Sequence, residues 1–177
     1  MVLPKIKTYK PGSYLLSDGS WQTGQLYFEV GRHLEVRQPD SKQRTEYLPG
    51  DVTRFVIEAD TFGVARDVSI NNRRRASRLF ARQLYRTPYH TIYYYQAPEN
   101  GSEFGFTGSF TIVQSAEGPA IRVPQGRGPF TEAMLPFFGA CPELAEGIKR
   151  GKLGPQHVQR MAATYAKWQR SSATPAN

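Results

Sequence analysis

Residues 23–36 read Thr-Gly-Gln-Leu-Tyr-Phe-Glu-Val-Gly-Arg-His-Leu-Glu-Val. In an extended chain Leu26, Phe28 and Val30 point to one side, and Gln25, Tyr27 and Glu29 to the other. This period of two predicts a half-buried strand rather than a helix. Gly31-Arg32 marks a turn, and Leu34 and Val36 resume the alternation beyond it. The same grammar extends outward. Residues 1–12 read as an extended arm closed by the Pro11-Gly12 turn signal. Tyr14-Leu15-Leu16 reads as a short strand before a turn at Asp18-Gly19-Ser20. Residues 47–48, 52–57 and 62–70 read as further strands, punctuated by Pro39-Asp40-Ser41, Pro49-Gly50-Asp51 and Asp60.

The stretch 71–75, Asn-Asn-Arg-Arg-Arg, breaks the pattern and reads as a surface loop. Residues 78–86 fit either period, but Thr91-Ile92-Tyr93-Tyr94-Tyr95 follows a Thr87-Pro88 turn, so a β-hairpin is the expectation. A glycine-rich loop, 98–108, precedes two short strands at 109–113 and 120–123. Composition then changes at Gly126, Gly128 and Pro129, and the rest reads as helical. Thr131 is placed to cap a first helix that Pro136 limits. Pro142 suits the first turn of a second helix ending at Gly151. Pro155 suits the start of a third, with Leu153 and Val158 as a hydrophobic staple. Val158, Met161, Ala162, Tyr165 and Trp168 make one apolar stripe, expected to face the core. The fold class expected is mainly β: a bent antiparallel meander or small open barrel of about eight to ten strands, closed by two or three short C-terminal helices. The domain reading is an arm at 1–12, a β domain at 13–126, helices packed on it at 127–170, and a disordered tail at 171–177.

The 177 residues suffice for a core without disulfides or metal staples. Cys141 is the lone cysteine, so an intrachain disulfide and a cysteine-based zinc site are excluded. No long apolar run predicts a membrane-spanning helix, and Met1 to Lys5 lack the apolar core of a signal peptide. As written the chain reads as cytoplasmic; one trimmed of a leader would read the same and be periplasmic or exported.

The net charge is +8. Most of it lies in residues 61–90, where Arg66, Arg73, Arg74, Arg75, Arg78, Arg82 and Arg86 face only Asp67. Guanidinium forks suit phosphate and carboxylate and stack on rings. Tyr93 and Tyr95 share one strand face next to this segment, and rings interleaved with arginine hold single-stranded nucleic acid. The candidate anionic-ligand site is therefore Arg73, Arg74, Arg75, Arg78, Arg82, Arg86, Tyr93 and Tyr95. The plainer reading is a solvated face whose arginines pair with Glu29, Glu35 or Glu58, beside ordinary cross-strand ring packing. Because Phe80 and Leu84 share the parity of Arg78, Arg82 and Arg86, that face is expected at a sheet edge or under a loop.

Catalytic motifs fail on inspection. Gly147 to Leu153 has the wrong glycine spacing for a phosphate loop and puts leucine where magnesium needs a hydroxyl. Gly126-Arg127-Gly128-Pro129 lacks the third glycine of a dinucleotide fingerprint. His33, His90 and His157 show no paired spacing, so neither metal nor cofactor is expected. Glu103-Phe104-Gly105-Phe106 departs from the aromatic strand of RNA-recognition domains. Asp18, Asp51, Asp60 and Asp67 fall where carboxylates cap turns and strand ends.

Several strings nonetheless resemble one family. Pro11 to Leu16, Asp18-Gly19 and Gly24-Gln25-Leu26 are similar to the opening of small, mostly exported, uncharacterised proteins of Bacteroidetes-type bacteria. Tyr47 to Phe55 resembles their Tyr-x-Pro-x-acid element, Leu84 to Tyr95 their central hairpin, and Cys141-Pro142-Glu143-Leu144 with Tyr165 their closing helices. The resemblance implies a β-rich body with C-terminal helices and an envelope location, with no activity or binding residues attached. Ser20-Trp21 and Arg54 depart from the pattern, and no second cysteine stands near 166–168. The function expected is a non-catalytic binding or structural module, at the cell envelope as the resemblance implies. The alternatives are binding of single-stranded nucleic acid or another polyanion through 73–86, and an enzyme whose carboxylate site leaves no sequence signal.

Overall fold

In the computed structural model, which describes residues 7–41, 43–71, 74–98 and 107–173, strand alternation is the organising pattern. The strands are β1 (Lys10–Leu16), β2 (Trp21–Phe28), β3 (Leu34–Arg37), β4 (Arg44–Tyr47), β5 (Val52–Ile57), β6 (Asp60–Asn71), β7 (Arg74–Arg86), β8 (His90–Gln96), β9 (Ser109–Ser115) and β10 (Ala120–Arg122). Helices α1 (Arg127–Phe138), α2 (Pro142–Lys149) and α3 (Val158–Ser172) follow, with a 3-10 turn at Pro155–His157 before α3. The mainly β architecture with C-terminal helices is thus the one the periodicity implied. Strand order in the sheet is β10-β9-β8-β7-β6-β5-β1-β2-β3-β4, with β10 also paired to β6.

The chain divides into two compact units: 1–64 with 78–82 and 95–108, and 65–77 with 83–94 and 109–177. This division cuts across β6, β7 and β8, each of which contributes residues to both units.

In the first unit β1 is central, pairing antiparallel with β2 and β5. Pro11 and Gly12 therefore lie inside a strand instead of making a turn. A Cβ at Gly12 would run into Leu26 Cδ1 and the Val56 carbonyl, so glycine is required by its neighbours. Strands β4 and β5 stand four places apart in the order, about 19 Å in a flat sheet. Only residues 48–51 join them, and these make a tight turn in which the Asp51 N–H donates to the Leu48 carbonyl at 3.1 Å. The sheet must curl until β4 and β5 come together. Inside the curl lie Tyr14, Leu26, Leu34, Val36, Val52, Phe55 and Phe80. Phe55 stacks on Phe62 at 4.7 Å and meets Phe80 edge-on at 5.2 Å.

In the second unit β10 pairs antiparallel with β9 and parallel with β6, through Ala120–Val68 and Ile121–Ser69. That last pairing closes the strand ring. Ile92 of β8, Val113 of β9 and Val123 just after β10 pack with Phe130, Met134 and Phe138 of α1, Leu144 and Ile148 of α2, and Val158, Met161 and Ala162 of α3. The α3 stripe is core, with Tyr165 and Trp168 packed half-buried against it. Cys141 is a buried free thiol at the start of α2.

Four local expectations are corrected. Asn71, Arg74 and Arg75 belong to strands, because the β6–β7 hairpin runs longer than its apolar pattern; Arg73 lies outside the described residues. Helix α1 starts at Arg127 with Gly126 at its N-cap, not at Thr131, and it continues through Pro136 because Phe138 is fully buried. Ser171 and Ser172 remain helical. Asp67 sits within β6 at a φ of 49°, where local bending replaces the expected strand end. The Glu103–Phe106 string, the arm before Lys7 and the tail beyond Ala173 lie outside the described residues.

Candidate functional site

Strand β7 carries the arginine segment. It runs between β6 and β8 and is not a sheet edge. Leu79, Phe80 and Ala81 are all buried, so the strand buries both sides midway and exposes arginine before and after. That is how Phe80 and Arg78 share a parity without burying a bare guanidinium. Arg74, Arg75, Arg78 and Arg86 are exposed, while Arg82 lies 3.5 Å from Asp60. Arg78 packs over Gly50. Arg78 and Arg82 belong to the first unit, and Arg74, Arg75 and Arg86 to the second. The acids Glu29, Glu35 and Glu58 bond instead to Arg32, Lys7 and Lys10 respectively. Tyr93 and Tyr95 are buried, 8% and 0% exposed, so their ring faces pack inside the fold. Burial raises the Tyr93 hydroxyl above its ordinary value, against the pull of Arg86 and Arg66.

Beside this segment, within the second unit, lies an open groove of about 1000 Å³. Its walls are Arg66 and Asp67 of β6, Arg75 and Ser77 of β7, and Gln114 with the β9–β10 turn at Glu117. It exists because β10 pairs with β6 over only two residues. Beyond them, the buried Gln114 side chain acts as a substitute strand. Its Oε1 accepts from the Arg66 N–H at 3.2 Å, and its Nε2 donates to the Arg66 carbonyl at 3.4 Å. This pair of hydrogen bonds satisfies the Arg66 N–H and carbonyl, while the exposed Arg66 side chain lines the groove. Among the described residues, no ion pair engages the guanidinium of Arg66 or of Arg75.

A second constellation sits on the β2–β3 hairpin of the first unit. Gly31, at a φ of 73°, turns the chain so that Glu29, His33 and Glu35 converge. His33 Nε2 lies 3.2 Å from Glu35 Oε1, 3.6 Å from Glu29 Oε2 and 3.9 Å from Glu46 Oε1 on β4. Glu35 is 1% exposed. The Lys7 ammonium bonds its Oε1, and the Tyr9 hydroxyl donates to its Oε2 at 2.6 Å. Burial pushes the Glu35 carboxyl up, but the bonds from Lys7, Tyr9 and His33 outweigh it and hold the group at about 2. Residues 7–9 are laid down by Tyr9 on Tyr27, 5.8 Å between ring centres, and by Arg37 over Tyr9 at 4.5 Å.

No family model, curated protein or solved structure matches the chain. The sites therefore rest on their own geometry. Sequence reasoning found Arg75 but not its groove partners Arg66 and Gln114. The Gln114 role had no signal, because a side chain that completes a strand pairing looks like any strand glutamine. The His33 cluster did have one. Glu29-x-x-x-His33-x-Glu35 straddles a tight turn, and a search restricted to histidine pairs passes over it.

Proposed function

We propose that the chain is a non-catalytic binding module that holds an anionic ligand in the groove of its second unit. The observation that carries this reading is the pair of exposed, ion-pair-free guanidinium groups, Arg66 and Arg75, facing one open groove. Paired arginine forks favour phosphate or carboxylate over neutral ligands. Asp67 and Glu117 on the same walls limit how much negative charge is welcome, which favours a short anionic segment over a long polyanion. The assay is fluorescence anisotropy of labelled oligo(dT) and of labelled oligoglutamate across a salt series. Binding of either probe should weaken with salt, by roughly 0.7 log units per phosphate contact for the oligonucleotide. Arg66→Gln with Arg75→Gln should flatten that slope by about 1.4 units on the same basis. Absence of binding at low salt, or binding that ignores the double substitution, refutes the proposal.

Nucleic acid along β7 is the second reading, favoured by the exposure of Arg78 and Arg86. Burial of Tyr93 and Tyr95 counts against it, since base stacking needs open ring faces. Substituting Arg78, Arg82 and Arg86 together with Gln separates the two readings: only β7 binding responds. Fractionation of the native protein tests the envelope location that the family resemblance implies.

A further inference from the structure

The β2–β3 hairpin has a property unrelated to the groove. Three carboxylate oxygens, one each from Glu29, Glu35 and Glu46, lie within 4 Å of a single imidazole nitrogen, His33 Nε2. The donor atoms of Glu29, His33 and Glu35 all lie within 4.8 Å of one another. A tetrahedral zinc ion with bonds of about 2.0–2.1 Å separates its ligand atoms by about 3.3–3.4 Å. The His33–Glu35 and His33–Glu29 separations, 3.2 and 3.6 Å, bracket that value.

The strand register supplies an independent reason for a cation here. Glu35 on β3 stands directly opposite Glu46 on β4. Like charges opposite one another across a ladder are unfavourable unless something positive lies between them. The group that answers the Glu35 charge is the Lys7 ammonium, delivered by the segment leading into β1. An ammonium is a single point charge and bonds one of these oxygens, whereas a divalent ion can take the donors of Glu29, His33 and Glu35 together, and the exposed Glu46 carboxylate, 3.9 Å from His33 Nε2, can swing in beside them.

We propose that Glu29, His33 and Glu35, with Glu46 as fourth donor, form a site for a divalent metal ion of the zinc type, which Lys7 occupies as a competing cation. Nitrogen plus carboxylate donors suit zinc and its neighbours better than calcium or magnesium, which take oxygen alone. Binding replaces the His33 Nε2 proton, which is donated to Glu35, by the metal; that proton leaves to solvent or moves to Nδ1. The Glu35 oxygen turns from accepting hydrogen bonds to ligating, and the Lys7 side chain is released to solvent. The competing role of Lys7 separates a metal site from a purely structural ion network. Removing Lys7 should tighten metal binding while weakening the metal-free fold.

The test is titration of the full chain with zinc chloride near neutral pH, read by calorimetry and by competition with a chromophoric chelator. Native-like circular dichroism is checked for each variant. One equivalent should bind. His33→Ala should weaken binding by about tenfold or more, and Glu46→Gln several-fold. Glu46 is 66% exposed, so that variant keeps the test alive if His33→Ala does not fold. Lys7→Met should tighten binding several-fold, and the His157→Ala control should leave it unchanged. Absence of zinc binding, binding insensitive to His33 and Glu46, or weaker binding by Lys7→Met overturns the proposal.

Discussion

Lowering the pH should destabilise the second unit through one side chain, His90. The imidazole is 4% exposed, at the start of β8. Its Nε2–H donates to the Phe137 carbonyl at 3.1 Å, one of the acceptors that the end of α1 leaves without a helical partner. The ring is enclosed by Phe138 at 4.7 Å and Tyr165 at 4.8 Å, with Phe137 at 6.3 Å. Nδ1 has no hydrogen-bond partner among the described residues. A proton there would be a buried charge facing rings. Burial accordingly pushes His90 down to about 4 from an ordinary 6.5, against the opposing bond to Phe137. The unfolded chain takes up this proton first. The stability held by neutral His90 is therefore complete above pH 6.5 and is lost as pH falls from 6.5 toward 4. The difference amounts to about 3 kcal/mol at the acid end. Glu35, held at about 2 against an ordinary 4.5, loses its contribution only at lower pH, so the interval from 6.5 to 4.5 isolates the histidine. Denaturant unfolding followed by tryptophan fluorescence at several pH values measures the effect, since Trp168 belongs to the same core. His90→Phe should cost about 1 kcal/mol at neutral pH for the lost hydrogen bond and then show a flatter pH profile than the parent. A parent stability unchanged across that interval, or an equal slope in the variant, refutes the argument.

Met161→Ala, at a fully buried position of α3, should lower stability by about 2–4 kcal/mol by thermal or chemical unfolding. The Cys141 thiol should react slowly with a thiol reagent in the native state and at the free-thiol rate in denaturant, because it is buried among Phe138 and Leu144. Gly12→Ala should destabilise by more than an ordinary strand substitution, about 2 kcal/mol or more, since β1 has strands on both sides and the Val56 carbonyl cannot swing away. Soluble expression and melting temperature measure it, and an unchanged melting temperature contradicts the central placement of β1.

Whatever depends on neighbours in the chain could be read from the sequence by itself. The alternation at Leu26, Phe28, Leu34 and Val36 states which residues face a core, because side-chain direction in a strand follows from residue parity alone. The stripe from Val158 to Trp168 does the same for α3, and Pro142 and Pro155 place helix starts through their missing N–H. Which strands pair depends on partners distant in the chain. The placement of β1 between β2 and β5 turned Pro11-Gly12 from a turn into strand interior. Burial of Phe138 carried α1 through Pro136. The candidate sites divide on the same line. Seven arginines in thirty residues are visible as letters. That Arg66 and Arg75 face one groove follows from a two-residue parallel pairing and a glutamine that completes it. The burial of Tyr93 and Tyr95 follows from β8 packing on both of its sides. His33 meets Glu29 and Glu35 through a local turn, which the sequence contained, but it meets Glu46 and Lys7 only because strand register and chain closure bring distant residues together.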